Sequence, residues 1–305
     1  VKVKCRRYFN DLLDEWINTL NVKESTLCCY KTKIRNHISP FFKGKKYGDV
    51  NESEMQEFIS LLKSKGLSGK YITDILSIVK SFAKWVRRVH HYENNVSEVS
   101  SPKVKNSSID LLTAEEQRKL CDYIKNHPIY SNIGLYIAVN TGVRIGELCA
   151  LTWGDIDFDK KILYVSKSVQ RISVADGERK TAVKVTSPKT SSSVREIPLP
   201  DYLVQYLKEY KGNKENYILS GTSKILEPRT LSYRFKAVLK EANVPSVKFH
   251  SLRHCFATNC LQAGFDIKTL SEILGHSNAT TTMKIYVHSS MDRKRECMSH
   301  LKPAA

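Results

Sequence analysis

Apolar residues in the first hundred positions recur at three- and four-residue steps. Phe9, Leu12, Leu13, Trp16, Ile17 and Leu20 mark one helix with a single apolar face. A second helix is expected from about Glu24 to Ile38, with Leu27, Tyr30 and Ile34 on one side and Lys31, Lys33, Arg35 and His37 elsewhere on it. Asn51 with Glu54 reads as a capping box for a third helix through Leu62, which Gly66 follows. A fourth, about Lys70 to His90, has Ile72, Ile75, Leu76, Val79, Phe82, Ala83 and Val86 in register. Lys80, Lys84, Arg87 and Arg88 decorate its solvent side.

From Tyr92 to about Ser108 no period is sustained, as in an interdomain linker. Thr113 with Glu116 then signals a new capping box and a helix to about Lys125. Ile129 to Val139 reads as a buried helix, broken by Gly142. Residues 161–166, 181–187 and 193–199 have strand character, with Ser187–Ser193 as the turn between the last two. Helices are expected again at about 201–210, 229–242, 250–263, 267–274 and 279–288. The pattern predicts two domains: all-α over residues 1–95, then a linker at 96–108. Residues 109–288 form the second, mixed α+β and mainly helical with a small antiparallel sheet, and 289–305 form a tail.

Charge narrows the partner. Forty-nine Lys and Arg stand against 31 Asp and Glu in 305 residues, a formal net charge of +18. That excess favours a polyanion, with DNA or RNA ahead of an anionic membrane surface. The basic helix faces suit a DNA clamp, with Lys31, Lys33, Arg35, Lys80, Lys84 and Arg87 as candidate contacts, although charge runs also simply solvate helices. No apolar run approaches the roughly 18–20 residues that span a bilayer. The chain starts at Val1, without Met and without the apolar core of a signal peptide, so an upstream part is expected to be absent. The eight cysteines include no C-x-x-C pair and read as reduced, packed thiols of a cytoplasmic protein.

The candidate chemistry lies in two blocks. Arg144 follows Gly142 at a helix start, where an arginine can meet a phosphate beside free N–H groups, and Glu147 one turn on can hold it. Arg–Glu pairs at this spacing are also common surface decoration. His250 and Arg253 share a helix face. His250 and His254 have the i, i+4 spacing of a zinc pair, but Ser251 breaks the H-E-x-x-H pattern and no further ligand stands at obvious spacing, so no metal is expected. Leu274-Gly275-His276 closes a helix, Gly275 supplying a left-handed turn that points His276 back into a cleft. Tyr286 follows ten residues later. Each signal alone also suits a packed residue. Two arginines, two histidines and a tyrosine together make a set for attacking a phosphodiester without metal: guanidinium forks clamp the non-bridging oxygens and the phenol oxygen bonds to phosphorus.

Thr141-Gly142-Val143-Arg144-Ile145-Gly146-Glu147-Leu148 with Leu151-Thr152-Trp153, then His250-x-x-Arg253-His254, Leu274-Gly275-His276 and Thr280-Thr281-Thr282 before Tyr286, resemble the tyrosine recombinases, the phage integrase family. The resemblance covers about residues 110–290. The helical first hundred residues match the family's core-binding domain in length and position, and integrases of conjugative transposons are the nearest in character. The resemblance implies that Arg144 and Arg253 bind the scissile phosphate, that His250 and His276 assist by hydrogen bonds and proton transfer, and that Tyr286 is the nucleophile. It implies a general-acid lysine on a β-hairpin turn, for which Lys189 is the candidate and Lys184 the competitor, and a supporting acid at Glu147.

It further implies a C-shaped clamp on double-stranded DNA, a dimer to tetramer whose tail 289–305 packs on a neighbour, accessory bending or excision factors, and a bacterial, nucleoid-associated location. No cofactor is expected. Two other classes stay open. A type IB topoisomerase uses the same chemistry on one strand, and a DNA-binding protein with a decayed site would keep only the basic surfaces.

Overall fold

In a computed structural model, the described residues are 5–92, 96, 99–100, 102, 111–173, 181–186, 194–276, 278, 283 and 299. The chain divides into two compact units, one of Val1–Ser107 with Ile172–Ala182, the other of Ser108–Arg171 with Val183–Ala305.

The first unit is built on the expected helices α1 (Phe9–Thr19), α2 (Glu24–Lys33), α4 (Glu52–Ser64) and α5 (Gly69–His90), with an added single turn, α3 (Ser39–Phe41). Their apolar stripes meet in one core, where Phe9 stacks on Phe42 with ring centroids 4.0 Å apart and Phe82 closes edge-on at 5.0 Å. Asn51 caps α4 by accepting the Glu54 N–H at 3.1 Å. Glu54 itself pairs with Lys45, so only half of the expected capping box forms. The second helix departs from regular geometry: after Lys33 the chain takes a π-helical turn at Ile34–Ile38 and then runs into α3. Val96 and Val99, within the stretch read as linker, are buried in this core, so packed structure reaches further along the chain than hydrophobic periodicity does.

In the second unit the Thr113–Glu116 capping box forms in full, with bonds of 3.2 and 2.7 Å, and opens α6 (Ala114–Asn126). The helix α7 (Tyr130–Thr141) is buried on nearly every side and stops at Gly142, whose φ of +63° lies in the left-handed region. One turn, α8 (Ile145–Leu148), follows. Strands β1 (Ile156–Asp157), β2 (Ile162–Val165) and β5 (Arg195–Pro198) form an antiparallel sheet in the order β1-β2-β5, with Leu163 opposite Ile197. Strand β4 (Thr181–Thr186) pairs instead with β3 (Ser168–Ser173), a strand the sequence pattern did not signal. The expected pairing of the last two strands across a 187–193 turn is therefore corrected: among the described residues they belong to different sheets. Helices α9 (Asp201–Glu209), α10 (Pro228–Glu241), α11 (Phe249–Gln262) and α12 (Ile267–Leu274) complete the unit, with α7 packed on α6 and α11 over a core that holds Trp153, Phe235 and Leu252. No helix of the described residues is long and apolar enough to cross a membrane.

Candidate active site

The site is organised by the end of α12. Gly275, at φ +65°, lets the chain reverse there: its N–H bonds to the Glu272 carbonyl at 3.0 Å and the His276 N–H to the Ser271 carbonyl at 3.0 Å. This double bond pattern is a Schellman motif, and it leaves the next carbonyls along the chain without helical partners. Each of the three is taken by a different arginine. Arg195 Nε donates to Ile273 O at 2.6 Å, Arg253 Nη2 to Leu274 O at 2.5 Å, and Arg144 Nη2 to Gly275 O at 2.9 Å. The negative end of a helix dipole reinforces each bond.

Arg144 sits at the N-cap of α8, placed by the Gly142 turn. Its own N–H donates to Glu147 Oε2 at 2.9 Å and its Nη1 to Oε1 at 2.7 Å. About a third of its side chain (35%) stays exposed, whereas Glu147 keeps 5%. Glu147 is thus no surface decoration. Desolvation pushes its carboxyl up, but the hydrogen bonds and charge of Arg195 and the charge of Arg144 outweigh this and hold it below the usual carboxylate range.

On α11, Arg253 is only 2% exposed and anchors to α7 through Nη1 and the Gly142 carbonyl at 2.8 Å. A carbon on Gly142 would lie 2.6 Å from Phe256 Cδ1, so glycine is required both for its φ and for the close approach of α11. The ring of His250 meets that of His254 edge-on at 4.7 Å. Desolvation, then the charges of His254, Arg253 and Arg144, lower the His250 pKa to about 4. His276 is likewise lowered to about 4, by desolvation and then by Arg253, Arg144, His250 and Arg195. Arg144, Glu147, His250, Arg253 and His276 therefore form one cluster: three arginines, counting Arg195, against one carboxylate, with neutral imidazoles between. Such a cluster offers a phosphodiester both cationic hydrogen-bond donors and unprotonated bases.

Arg195 is the site residue that sequence reading missed. Its signal was the strand alternation: it lies two positions before the buried Ile197 and so on the inward side of β5. Tyr286, Lys189 and the tail 289–305 lie outside the described residues. Lys184, the competitor of Lys189, is exposed on β4. Among the described residues no three His, Cys, Asp or Glu side chains gather as a metal site.

In the first unit Lys31, Arg35, Lys84 and Arg87 are exposed and Lys80 is half-buried. Lys33 departs from expectation. It is 8% exposed, ion-paired with Asp74 at 3.6 Å and set over the Tyr71 ring, because it follows Tyr30 by three residues and borders the apolar face of α2.

Residues 110–293 match the phage integrase family, and residues 8–63 match the N-terminal SAM-like domain of phage integrases. The chain is 29% identical to a tyrosine recombinase XerC-like protein of Caldanaerobacter subterraneus, over 95% of this chain and 82% of that one. The Tn1549 transposon integrase in complex with transposon right end DNA is 25% identical and superposes with a TM-score of 0.75, over 95% of this chain and 98% of the other. A lambda integrase dimer bound to a core site shares the fold, with a TM-score of 0.71 and 20% identity over 93% and 96% of the two chains. Since the integrase model spans more than half of the sequence and includes every residue of the cluster, the chain belongs to the phage integrase family.

Proposed function

We propose that this protein is a site-specific DNA recombinase, the integrase of a mobile element, in which Tyr286 cuts and rejoins DNA through a 3′-phosphotyrosine. The observation that carries the reading is the convergence of Arg144, Arg253 and His276 on one turn at the end of α12, ten residues before Tyr286. The alternatives lose ground to it: a decayed binding protein has no need to keep such a cluster, and the Tn1549 and lambda proteins it resembles are integrases on DNA.

The chemistry follows from the groups at hand. A phenol with a pKa near 10 must lose its proton to attack, and a neutral His250 or His276 can take it. As the Tyr286 oxygen bonds to phosphorus, Arg144 and Arg253 stabilise the charge that builds on the non-bridging oxygens. The bond to the 5′ oxygen breaks, and Lys189 supplies that oxygen with a proton. Attack by the 5′ hydroxyl of another strand reverses every step and exchanges the strands. The phosphotyrosine keeps the bond energy, so neither ATP nor metal is needed.

Residues 1–95 serve as the core-binding domain and 109–288 as the catalytic domain, with 96–108 joining them. Lys31, Arg35, Lys80, Lys84 and Arg87 contact DNA. The protein acts as a dimer or tetramer through its tail 289–305, as the lambda protein acts as a dimer on its core site. It works in the bacterial cytoplasm on the nucleoid, with accessory bending or excision factors. The test is strand exchange between two duplexes carrying a candidate recombination site, one labelled, in EDTA. Exchanged product is the expected result. Relaxation of supercoiled DNA without exchange would favour the topoisomerase class, and binding alone would return the protein to the class of DNA-binding proteins.

A further inference from the structure

Arg195 stands outside the sequence blocks that carry the family resemblance, yet it ties those blocks together. Its Nη1 donates to Glu147 Oε1 at 3.1 Å and its Nη2 to Oε2 at 2.9 Å, while Nε caps Ile273. Glu147 then holds Arg144 from the other side. A continuous set of charge-assisted bonds thus runs from β5 through Glu147 to Arg144, with a branch to the α12 turn that carries His276.

Counting charge shows what this arrangement does. Arg144, Glu147 and Arg195 carry one net positive charge between them. Without Arg195, the Glu147 carboxylate would face Arg144 alone and cancel it. With both carboxylate and Arg195 side chains only 5% exposed, water cannot screen that loss. The guanidinium of Arg144 would also be drawn further onto the carboxylate, away from the exposed side where a phosphate would dock. A carboxylate buried beside an arginine draws on that arginine's charge unless a second cation offsets it.

We infer that Arg195 is a positioning residue for strand cleavage: by neutralising Glu147 and fixing it to the end of α12, it leaves the charge of Arg144 available to the phosphodiester. This rests on the recombinase reading above. A brace with no electrostatic role would behave differently when both partners are removed together, and the test uses that difference.

Single-turnover formation of the covalent protein–DNA adduct on a nicked duplex, DNA affinity and the His276 ring titration by NMR are compared. The proteins are wild type, Arg195→Lys, Arg195→Gln and the double variant Glu147→Gln/Arg195→Gln. Arg195→Gln should form adduct roughly ten- to a hundredfold more slowly, with DNA affinity little changed, because only the reacting phosphate senses the loss. The double variant should recover much of the rate, since Arg144 regains its charge. Arg195→Lys should fall between, keeping the charge but not the bidentate fork.

A double variant no faster than Arg195→Gln would overturn the proposal and leave Arg195 as a brace. If Arg195→Gln does not fold, Arg195→Lys and the double variant, which buries no unpaired charge, still decide it. Should wild type itself form no adduct, the recombinase reading fails first, and the ring titration judges Arg195 separately. Loss of the cation must then raise the His276 pKa in Arg195→Gln and not in Arg195→Lys, and an unmoved titration in both would refute the link.

Discussion

Gly142→Ala is the substitution for which the geometry sets the size of the effect most closely. Gly142 sits at φ +63°, a conformation that costs a residue with a Cβ about 1–2 kcal/mol. Its new carbon would lie 2.6 Å from Phe256 Cδ1 and 3.0 Å from Leu274 Cδ2, one on α11 and the other at the end of α12. Arg253, three residues before Phe256 on α11, binds the Gly142 and Leu274 carbonyls and so ties α11 to both turns. Overpacking at such a site costs about 1–3 kcal/mol. The sum, about 2–5 kcal/mol, corresponds to a fall in Tm of roughly 5–15 °C for a unit of this size.

Thermal unfolding followed by circular dichroism reads the stability. Adduct formation on a nicked duplex should fall as well, by roughly tenfold to a hundredfold, because the carbonyl that anchors Arg253 has to move. Gly142→Ala/Phe256→Leu separates the causes: relief of the ring contact should leave the left-handed strain, about 1–2 kcal/mol, and the looser approach to Leu274 Cδ2 at 3.0 Å. A single variant as stable and as active as wild type would show that this turn tolerates a Cβ, and a double variant no better than the single would remove the Phe256 contact from the cost.

Stability of the DNA-free protein should also depend on pH. His250 and His276 have pKa values lowered to about 4 from an unfolded value near 6.5, so the stability they contribute is fully present above pH 6.5. It should be lost as pH falls towards 4, since the unfolded chain binds the protons. Urea unfolding at pH 7.5 and 5 checks this; equal stability at the two, or a fall undiminished in His250→Asn/His276→Asn, would contradict it. On DNA, Lys84→Ala and Arg87→Ala should each reduce the slope of log affinity against log salt by about one. Lys33→Ala should leave the slope unchanged and lower the Tm instead, because Lys33 is committed to Asp74.

What the sequence made legible depended on the kind of signal. Helices with one apolar face, such as α1, α4 and α5, announced themselves through their period, and the Thr113 capping box, the break at Gly142 and the left-handed Gly275 through local chemistry. Long-range partners were not legible. Nothing within a few residues of Glu147 reveals that Arg195, 48 positions later, lies against it. Arg195 was nonetheless detectable as a charged residue in phase with Ile197. Strand β3 escaped because Ser168-Val-Gln-Arg-Ile-Ser does not alternate, its ladder depending on a partner rather than on its own pattern. Lys33 was misread because a charge beside an apolar stripe can turn either way, and only packing against α5 decides which.

The proposed mechanism requires Tyr286 to attack a phosphodiester inside the cluster of Arg144, Arg253, His250 and His276. Covalent trapping tests it most directly: wild type and Tyr286→Phe are incubated in EDTA with a nicked duplex carrying a candidate recombination site, then resolved on a denaturing gel. A shifted band from wild type alone is the predicted result. A band that survives the substitution would contradict the account, because another residue would then be the nucleophile.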